Sequence, residues 1–364
     1  MKQKKTANNR EELKNRKIDA ALTADKGDSI FVALDVHKKT YHVAVWKNGN
    51  IVFSWVTPSD DDQIVAALEP ARAAIKKVVY EAGPTGYSLA RALMKAKFPV
   101  GVIAPGKTPR QSNPGNKSDQ VDCKKLALYA ATGMLSYIAV PTKEEELNRL
   151  LVRTRDDMKS KRQRVMRQIK SFLLNYHLPE PEELVTWTKA GIMELQAMEL
   201  SDILRFRLNE LLYELDYHTK SLKRVEEKLR VFEEEKAEEM EILQSHPGVG
   251  RVVARQFLAE VYQPERFRNG KELAAYLGLA PRVSQSGQTR REGDMLPGGR
   301  RELRNMLIEA SWVAIRKDKR MASTYHRLFR NTGNGKKAIA GVARRLAVRL
   351  WTMLINREAY RAAG

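Results

Sequence analysis

The sequence is poor in cysteine, in acidic residues and in long apolar runs, and each shortage closes off a class of proteins. Cys123 is the one cysteine among 364 residues. That excludes an internal disulfide and any zinc site built from cysteines, and it suits a reducing compartment. No apolar run reaches the roughly 18 residues that a membrane-spanning helix needs, so no membrane partner is expected. The first 28 residues are polar and basic with no apolar core, which is not the pattern of a secretory signal. Acids are outnumbered: 44 Asp and Glu stand against 65 Lys and Arg, a formal net charge of +21. Such an excess repels itself unless a polyanion is near, and it points to nucleic acid. It is also uneven, with 24 basic and 9 acidic residues between Arg251 and Gly364. No helix-turn-helix signature and no zinc finger accompanies it, so the charge is of the kind that meets phosphates rather than base edges.

What is present organises the chain into parts. Hydrophobic residues make up 43 %, enough for packed cores, and the length calls for two or three domains. Residues 1–28 read as a basic flexible tail, with part of it open to forming helix. Over 29–142, strands and helices alternate. A buried strand from Ser29 carries Asp35 near its end, and Thr40–Trp46 and Ile51–Val56 form a hairpin around Lys47-Asn48-Gly49-Asn50. A helix over 60–74, a strand over 75–80 stopping at Glu81, a helix over 87–97 and a strand over 99–104 follow, with a last strand over 137–140. This pattern implies a mixed α/β sheet covered by helices. Residues 143–240 turn to long charged helices. Leu204, Leu208, Leu211, Leu215, His218, Leu222, Val225, Leu229 and Phe232 step by four and three, the spacing of a coiled-coil seam that pairs within the chain or between subunits. Residues 241–364 form a third, mainly helical region.

Two constellations carry chemistry. A loop of turn formers ends at Lys117 and Ser118, and a helix starts with Asp119 and Asp122, three apart and therefore on one face. Taken alone, the pair is no more than a helix dipole favours. Asp35 and Glu81 end strands, and α/β sites gather at strand ends. Singly they read as a turn residue and a solvated strand end. Together the four carboxylates make a hard-oxygen donor set for Mg²⁺, or Mn²⁺ in its place, of the kind that serves phosphodiester cleavage.

The second constellation runs from Leu277 to Gly293 as a polar, glycine-bearing loop with Arg282, Ser284, Ser286, Arg290 and Arg291, and continues to Arg300, Arg301 and Arg304. Arginine forks match phosphate oxygens. A serine among them can attack a phosphate, although by residue type alone Ser286 is a loop serine with no histidine near in sequence. Pro247-Gly248-Val249-Gly250 before a helix resembles the turn of helix-hairpin-helix modules, whose backbone N–H groups hold a phosphate; a plain helix–helix turn reads equally well. Lys336, Lys337, Arg344, Arg345 and Arg349 follow on a late helix and suit backbone phosphates. Tyr325, His326, Phe329 and Arg330 pack a helix or stack on bases, packing being favoured.

In their order and spacing, from about Ile30 to Arg357, these pieces resemble the DEDD transposases of bacterial insertion sequences, the IS-one-ten family with its IS-eleven-eleven branch. The matching segments are Val32-Ala-Leu-Asp35-Val-His-Lys-Lys39, Val79-Tyr-Glu81-Ala-Gly-Pro-Thr-Gly-Tyr87 and Lys117-Ser-Asp119-Gln-Val-Asp122. After them come Pro247-Gly-Val-Gly250, Ala274-Ala-Tyr-Leu-Gly-Leu-Ala-Pro-Arg282 and Gln285-Ser286-Gly287. The resemblance implies a ribonuclease-H-like domain of Holliday-junction-resolvase type over 29–142, with Asp35, Glu81, Asp119 and Asp122 as its metal-binding catalytic tetrad. It implies a coiled-coil spacer over 143–240 and a transposase domain over 241–364. There the nucleophilic serine maps onto Ser286 and links covalently to DNA as a phosphoserine. The metal site of one subunit then works with the serine of another, which requires a homo-oligomer: a dimer, and a tetramer in the synapse. A structured bridge RNA whose loops pair with target and donor DNA is implied as guide, in a bacterial cytoplasm. The nucleic-acid contacts expected are Lys117, Gly248, Gly250, Arg282, Arg290, Arg291, Arg300, Arg301, Arg304, Lys336, Lys337, Arg344 and Arg345.

The chain departs from the family at two places. Gln285 stands where members often carry an acid, with Ser284 just upstream, and Gly298-Gly299-Arg300 replaces a Gly-Asn or Gly-His step. A resolvase-like nuclease that activates water at the tetrad is the alternative enzyme. A non-catalytic DNA-binding regulator is the alternative from another class, and the four intact acids argue against it.

Overall fold

In the computed structural model, residues 2–106, 108–109, 119–286, 289–295 and 299–361 are described, those at 2–10, 119–120, 282–286 and 289–295 by their backbone. The chain divides between Pro141 and Thr142 into two compact units.

The first unit is built in the order α1 (Lys2–Leu22), β1 (Ile30–Val36), β2 (Thr40–Lys47), β3 (Asn50–Pro58), α2 (Asp61–Leu68), β4 (Ile75–Glu81), α3 (Ser88–Lys95), β5 (Val100–Ile103), α4 (Asp119–Ala131) and β6 (Tyr137–Ile138). The sheet order is β3-β2-β1-β4-β5-β6. β1 pairs antiparallel with β2 and parallel with β4; β4 and β5 are parallel, and β6 is antiparallel to β5. β1 buries Ile30, Val32, Ala33 and Leu34, residues that alternate between the two sheet faces. A strand apolar on both faces belongs in the centre of a sheet covered by helices. Asn48 and Gly49 turn the β2–β3 hairpin with φ of 47° and 104°, the left-handed pair that a two-residue turn demands. Asp60 starts α2 by accepting from the Asp62 and Gln63 N–H groups at 3.0 Å each.

The later part of the expected tail is anchored to the first unit. α1 is helical, and its last turn buries Ala21 and Leu22, with Ile18 half-buried against the sheet core. Downstream, the Asp28 carboxylate takes the Lys47 ammonium at 2.7 Å, the Asn48 amide at 2.6 Å and the Asp25 N–H at 2.8 Å. These donors, Lys47 foremost, hold its carboxyl down to about 2. Three apolar residues and one acid anchor a segment whose composition reads as solvated.

The second unit opens with a capping box, Thr142 and Glu145 each bonding the other's backbone N–H, at the head of α5 (Lys143–Asn175). α6 (Lys189–Ala197) and α7 (Asp202–Glu235) follow. α7 lies antiparallel along α5: Val165, Ile169 and Phe172 meet Leu208, Leu211 and Leu215, and Val152 meets Leu229 and Phe232. The seam therefore finds its partner within the chain. His218 lies on it, buried, 3.6 Å from Glu214. Then come α8 (Ala237–Gln244), α9 (Arg251–Val261), α10 (Gly270–Tyr276), β7 (Pro281–Ser286), β8 (Thr289–Met295), α11 (Arg301–Lys317), α12 (Lys319–Thr332) and α13 (Gly335–Asn356). α9, α11 and α13 share one core with Phe257, Leu307, Leu346 and Leu350 fully buried in it. The 143–240 and 241–364 regions thus belong to one unit rather than two. β7 and β8 form an antiparallel ladder where the sequence suggested a loop. No helix among the described residues is long and apolar enough to cross a membrane.

Candidate active site

Leu34 and Tyr80 are partners in the parallel β1–β4 ladder, so Asp35 and Glu81 are the next residues along two neighbouring strands, at their carboxyl ends. Asp35 is about one-third exposed and receives the His37 ring Nε2 on its Oδ2 at 3.1 Å. Glu81 is exposed, and its Oε1 accepts from the Gly106 N–H at 3.2 Å. The third part is α4, which packs across β1 and β2. Its anchor is Cys123, 2 % exposed, whose S–H is shared between the Ala33 and His42 carbonyl oxygens at 3.2 Å each. Burial pushes this thiol up to about 12, so it remains a donor at neutral pH. Cys123 is one residue past Asp122 and one turn past Asp119, so the anchor brings the first turn of α4 to the strand that carries Asp35 next to its end. Asp122 is exposed.

Asp35 and Glu81 thus stand at the ends of neighbouring strands, and Asp122 lies in the first turn of the helix anchored on β1. The Asp119 carboxylate lies outside the described side chains, and among the described ones no three ligating groups close on a point. The donor chemistry nevertheless fits a hard divalent cation: carboxylate oxygens from two strand ends and a helix start, with one of them already oriented by a histidine. His37, His42 and Cys123 are functional neighbours that reasoning over acids passed by. His37 had a signal, standing two residues after Asp35 at a strand end. The position of Cys123 had none, because its partners are backbone carbonyls far away in sequence.

The serine region resolves differently. Ser286 is the last residue of β7 and pairs with Thr289, while Gln285 pairs with Arg290 and Ser284 with Arg291. For Arg282, Ser286, Arg290 and Arg291 the described structure is backbone alone, and Lys117 lies outside the described residues.

Several of the residues expected to contact phosphate have partners within the fold. Gly248 has φ +91°, and a Cβ there would collide with the Ala310 carbonyl oxygen and stand 3.0 Å from the Ala314 nitrogen. It is a glycine because the α8–α9 turn runs against the α11 backbone. Gly248→Ala is expected to destabilise by roughly 2–4 kcal/mol through strain and overpacking, read as a lowered melting temperature. Gly250, with nothing within 4 Å of a Cβ, should tolerate alanine. Equal melting of both variants with weakened DNA binding by Gly248→Ala would instead assign this glycine to phosphate contact.

Arg300 is likewise engaged, its Nε 3.2 Å from Glu302 and 3.5 Å from Glu260, a buried acid that Arg153 also holds at 2.7 and 2.9 Å. Arg304 donates to the Gly278 carbonyl at 3.4 Å, and Arg301 is exposed. Lys336, Lys337 and Arg345 are exposed on α13, Arg344 half-buried. Arg344, Arg345 and Arg349 line a shallow groove with Leu328 and Gly341. Tyr325 packs on the core and against Trp312 at 5.5 Å, while His326, Phe329 and Arg330 are exposed.

Two sequence models of one family match this chain. One, described as a transposase and specific to DEDD transposases of the IS110 type, covers residues 32–178, and the other, the transposase IS116/IS110/IS902 family, covers residues 240–326. The chain belongs to the IS110 family of insertion-sequence transposases. It is 26 % identical over 292 residues to the transposase for insertion sequence element IS1533 of Leptospira borgpetersenii, covering 78 % of this chain and 84 % of that protein. It is 25 % identical over 260 residues to the transposase for insertion sequence element IS1111A of Coxiella burnetii, with 68 % and 70 % covered. A third relative, y4qE of Sinorhizobium fredii, is 27 % identical over 293 residues, with 78 % and 71 % covered. The first match takes in all four acids of the transposase and the second takes in Ser286. α1 begins before both, and α6 and α7 lie between them.

Proposed function

We propose that this transposase is an RNA-guided, site-specific DNA recombinase with two cooperating centres. The observation that carries the reading is the meeting of Asp35 and Glu81 on adjacent parallel strand ends, with the start of α4 pinned beside them by Cys123. The sheet order, an antiparallel β3-β2-β1 hairpin side continued by parallel β4 and β5, is what a ribonuclease-H-like domain has, and supports that assignment. Asp35, Glu81, Asp119 and Asp122 would hold Mg²⁺, or Mn²⁺ in its place, which when bound activates an attacking oxygen and neutralises charge on the leaving one. The side chains' own part is to present hard oxygens at a rim open to a DNA strand, with Asp35 kept in orientation by His37.

Ser286 is the proposed nucleophile. Its Oγ forms the new bond to phosphorus, one P–O ester bond of the strand breaks, and the serine proton ends on the released hydroxyl. Arg291, opposite Ser284 and so on the same face of the ladder as Ser286, is the proposed cation for the charge that develops on the phosphoryl oxygens. Bridge-RNA guidance is supported by the charge: a chain of net +21 with no base-reading motif suits an enzyme that leaves sequence choice to base pairing. The test combines the protein with its element's RNA, labelled target and donor DNA and Mg²⁺ on a denaturing gel. A protein-linked DNA band is the expected product; cut DNA with no linked protein would favour the water-activating nuclease.

A homo-oligomer belongs to the same proposal. α7 carries a second stripe, Ile203, Phe206, Tyr213 and Tyr217, that its pairing with α5 leaves 59–80 % exposed. At this spacing the four residues lie along one face of the helix, with Glu210 between Phe206 and Tyr213. An antiparallel second copy brings Phe206 to Tyr217 across the stripe. Phe206→Glu with Tyr213→Glu is expected to halve the mass measured by light scattering and leave the melting temperature unchanged; an unaltered mass would dismiss α7 as the interface.

A further inference from the structure

We propose that His37 is a positioning residue for the metal site, its ring N–H fixing the Asp35 carboxylate in the orientation that receives the cation. The proposal rests on the reading of Asp35 as a metal ligand. A carboxylate can only accept, so the His37 Nε2 that stands 3.1 Å from Asp35 Oδ2 carries the proton. That bond occupies one lone pair of Oδ2 and turns the other oxygen, Oδ1, away from the histidine. Asp35 sits near a strand end, about one-third exposed, where little packing fixes its side-chain torsions. A donor that holds such a ligand spares the ion the entropy of ordering it and raises the fraction of carboxylates already poised.

The ring of His37 is itself braced. His42 lies directly across from Asp35 in the β1–β2 ladder. The two imidazoles meet edge to face, centroids 5.8 Å apart at 78°. His42 is fixed in turn through its backbone, whose carbonyl oxygen accepts from the buried Cys123 thiol. Its Nδ1 is buried without a hydrogen-bond partner among the described residues, so the ring is kept there by its place in the ladder and not by a bond of its own. The series Cys123, His42, His37, Asp35 thus joins the anchor of α4 to the orientation of a ligand on β1. Two of the acids that must face one ion are set by the same few contacts.

The side-chain chemistry supplies a sharp test. A glutamine at 37 reaches about as far as the histidine Nε2 and keeps an N–H there, whereas asparagine is too short and alanine has no donor. Mn²⁺ binding to the full chain without nucleic acid, followed by electron paramagnetic resonance of the free ion, should weaken about 10–100-fold in His37→Ala and His37→Asn. His37→Gln should stay close to the unaltered protein. His37 is half-exposed at 47 %, so melting temperatures should not move in any of the three. Binding by His37→Ala equal to the unaltered protein, while Asp35→Asn loses the ion, would overturn the proposal and leave the metal reading standing. A glutamine variant as weak as the alanine one would overturn it too, by making the ring a ligand and not a donor. If Asp35→Asn itself binds Mn²⁺ normally, Asp35 is not a ligand, and the reading beneath the proposal falls with it.

Discussion

Ser286→Ala is expected to remove every covalent protein–DNA product, a loss of at least about a thousandfold, because no other group can supply the oxygen of the phosphoserine bond. Ser284→Ala should keep the linked band. The ladder separates the two serines: Ser284 pairs with Arg291 inside the hairpin, whereas Ser286 pairs with Thr289 at its last rung. A nucleophile must come within about 3–3.5 Å of phosphorus, and the end of a hairpin gives a strand of DNA room to approach. A linked band lost in Ser284→Ala and kept in Ser286→Ala would move the nucleophile one strand repeat upstream. A linked band in both variants would end the serine mechanism. Cleavage without linkage in Ser286→Ala would show that the tetrad alone can direct water to the phosphate.

Arg255→Ala should be the most damaging change away from either centre, at about 3–5 kcal/mol. Arg255 is 1 % exposed on α9, and its guanidinium bonds Glu226 at 2.8 and 3.3 Å and Glu233 at 2.8 Å, both on α7. Arg155 on α5 holds Glu226 from the other side, and Arg251 holds Glu233. Removing Arg255 leaves two carboxylates short of a buried cation where α9 meets the α5–α7 pair. Urea unfolding should show the loss; a change under 1 kcal/mol would mean that water replaces the guanidinium. Acid supplies a second readout. Burial alone would raise the Glu226 carboxyl, yet the bonds from Arg255 and Arg155 outweigh it and bring it to about 2 from 4.5. A depressed carboxyl stabilises the fold above its unfolded value, so this contribution is complete above about pH 4.5 and lost as the pH falls towards 2. In Arg255→Ala the slope of stability across that window should flatten.

The sheet was legible because each strand is a short apolar run between turn formers, and Asp35 and Glu81 stood out as charges where those runs stop. The α7 seam was equally plain, but not its partner: α5 presents its apolar residues among so many charges that the intramolecular pairing has no signature of its own. β7 and β8 were missed for the opposite reason. Pro281–Ser286 and Thr289–Met295 are polar almost throughout, so no two-residue alternation marks a strand, and the ladder is a matter of backbone bonds. Gly248 and Arg300 were read as phosphate contacts from residue type. Glycine is equally what a turn against a helix backbone needs, and arginine is equally what a buried glutamate needs. Sequence records the type and leaves the partner open; Ala310 and Glu260 are the partners that the fold supplies.

The docking of α1 bears on how the protein can be shortened. β3 is the outermost strand on its side of the sheet and runs for nine residues, with Val52 and Val56 exposed. An uncovered strand of that length is a template on which another molecule can add its own. α1 packs against β3, and Lys14 gives its ammonium to the Val56 carbonyl oxygen at 2.7 Å, occupying an acceptor that a foreign strand would use. The lysine-rich helix therefore acts as a guard on the rim of the sheet. A chain trimmed at Asp28 to remove what composition presents as a dispensable segment would keep Asp35, Glu81, Asp119 and Asp122 and acquire an adhesive edge.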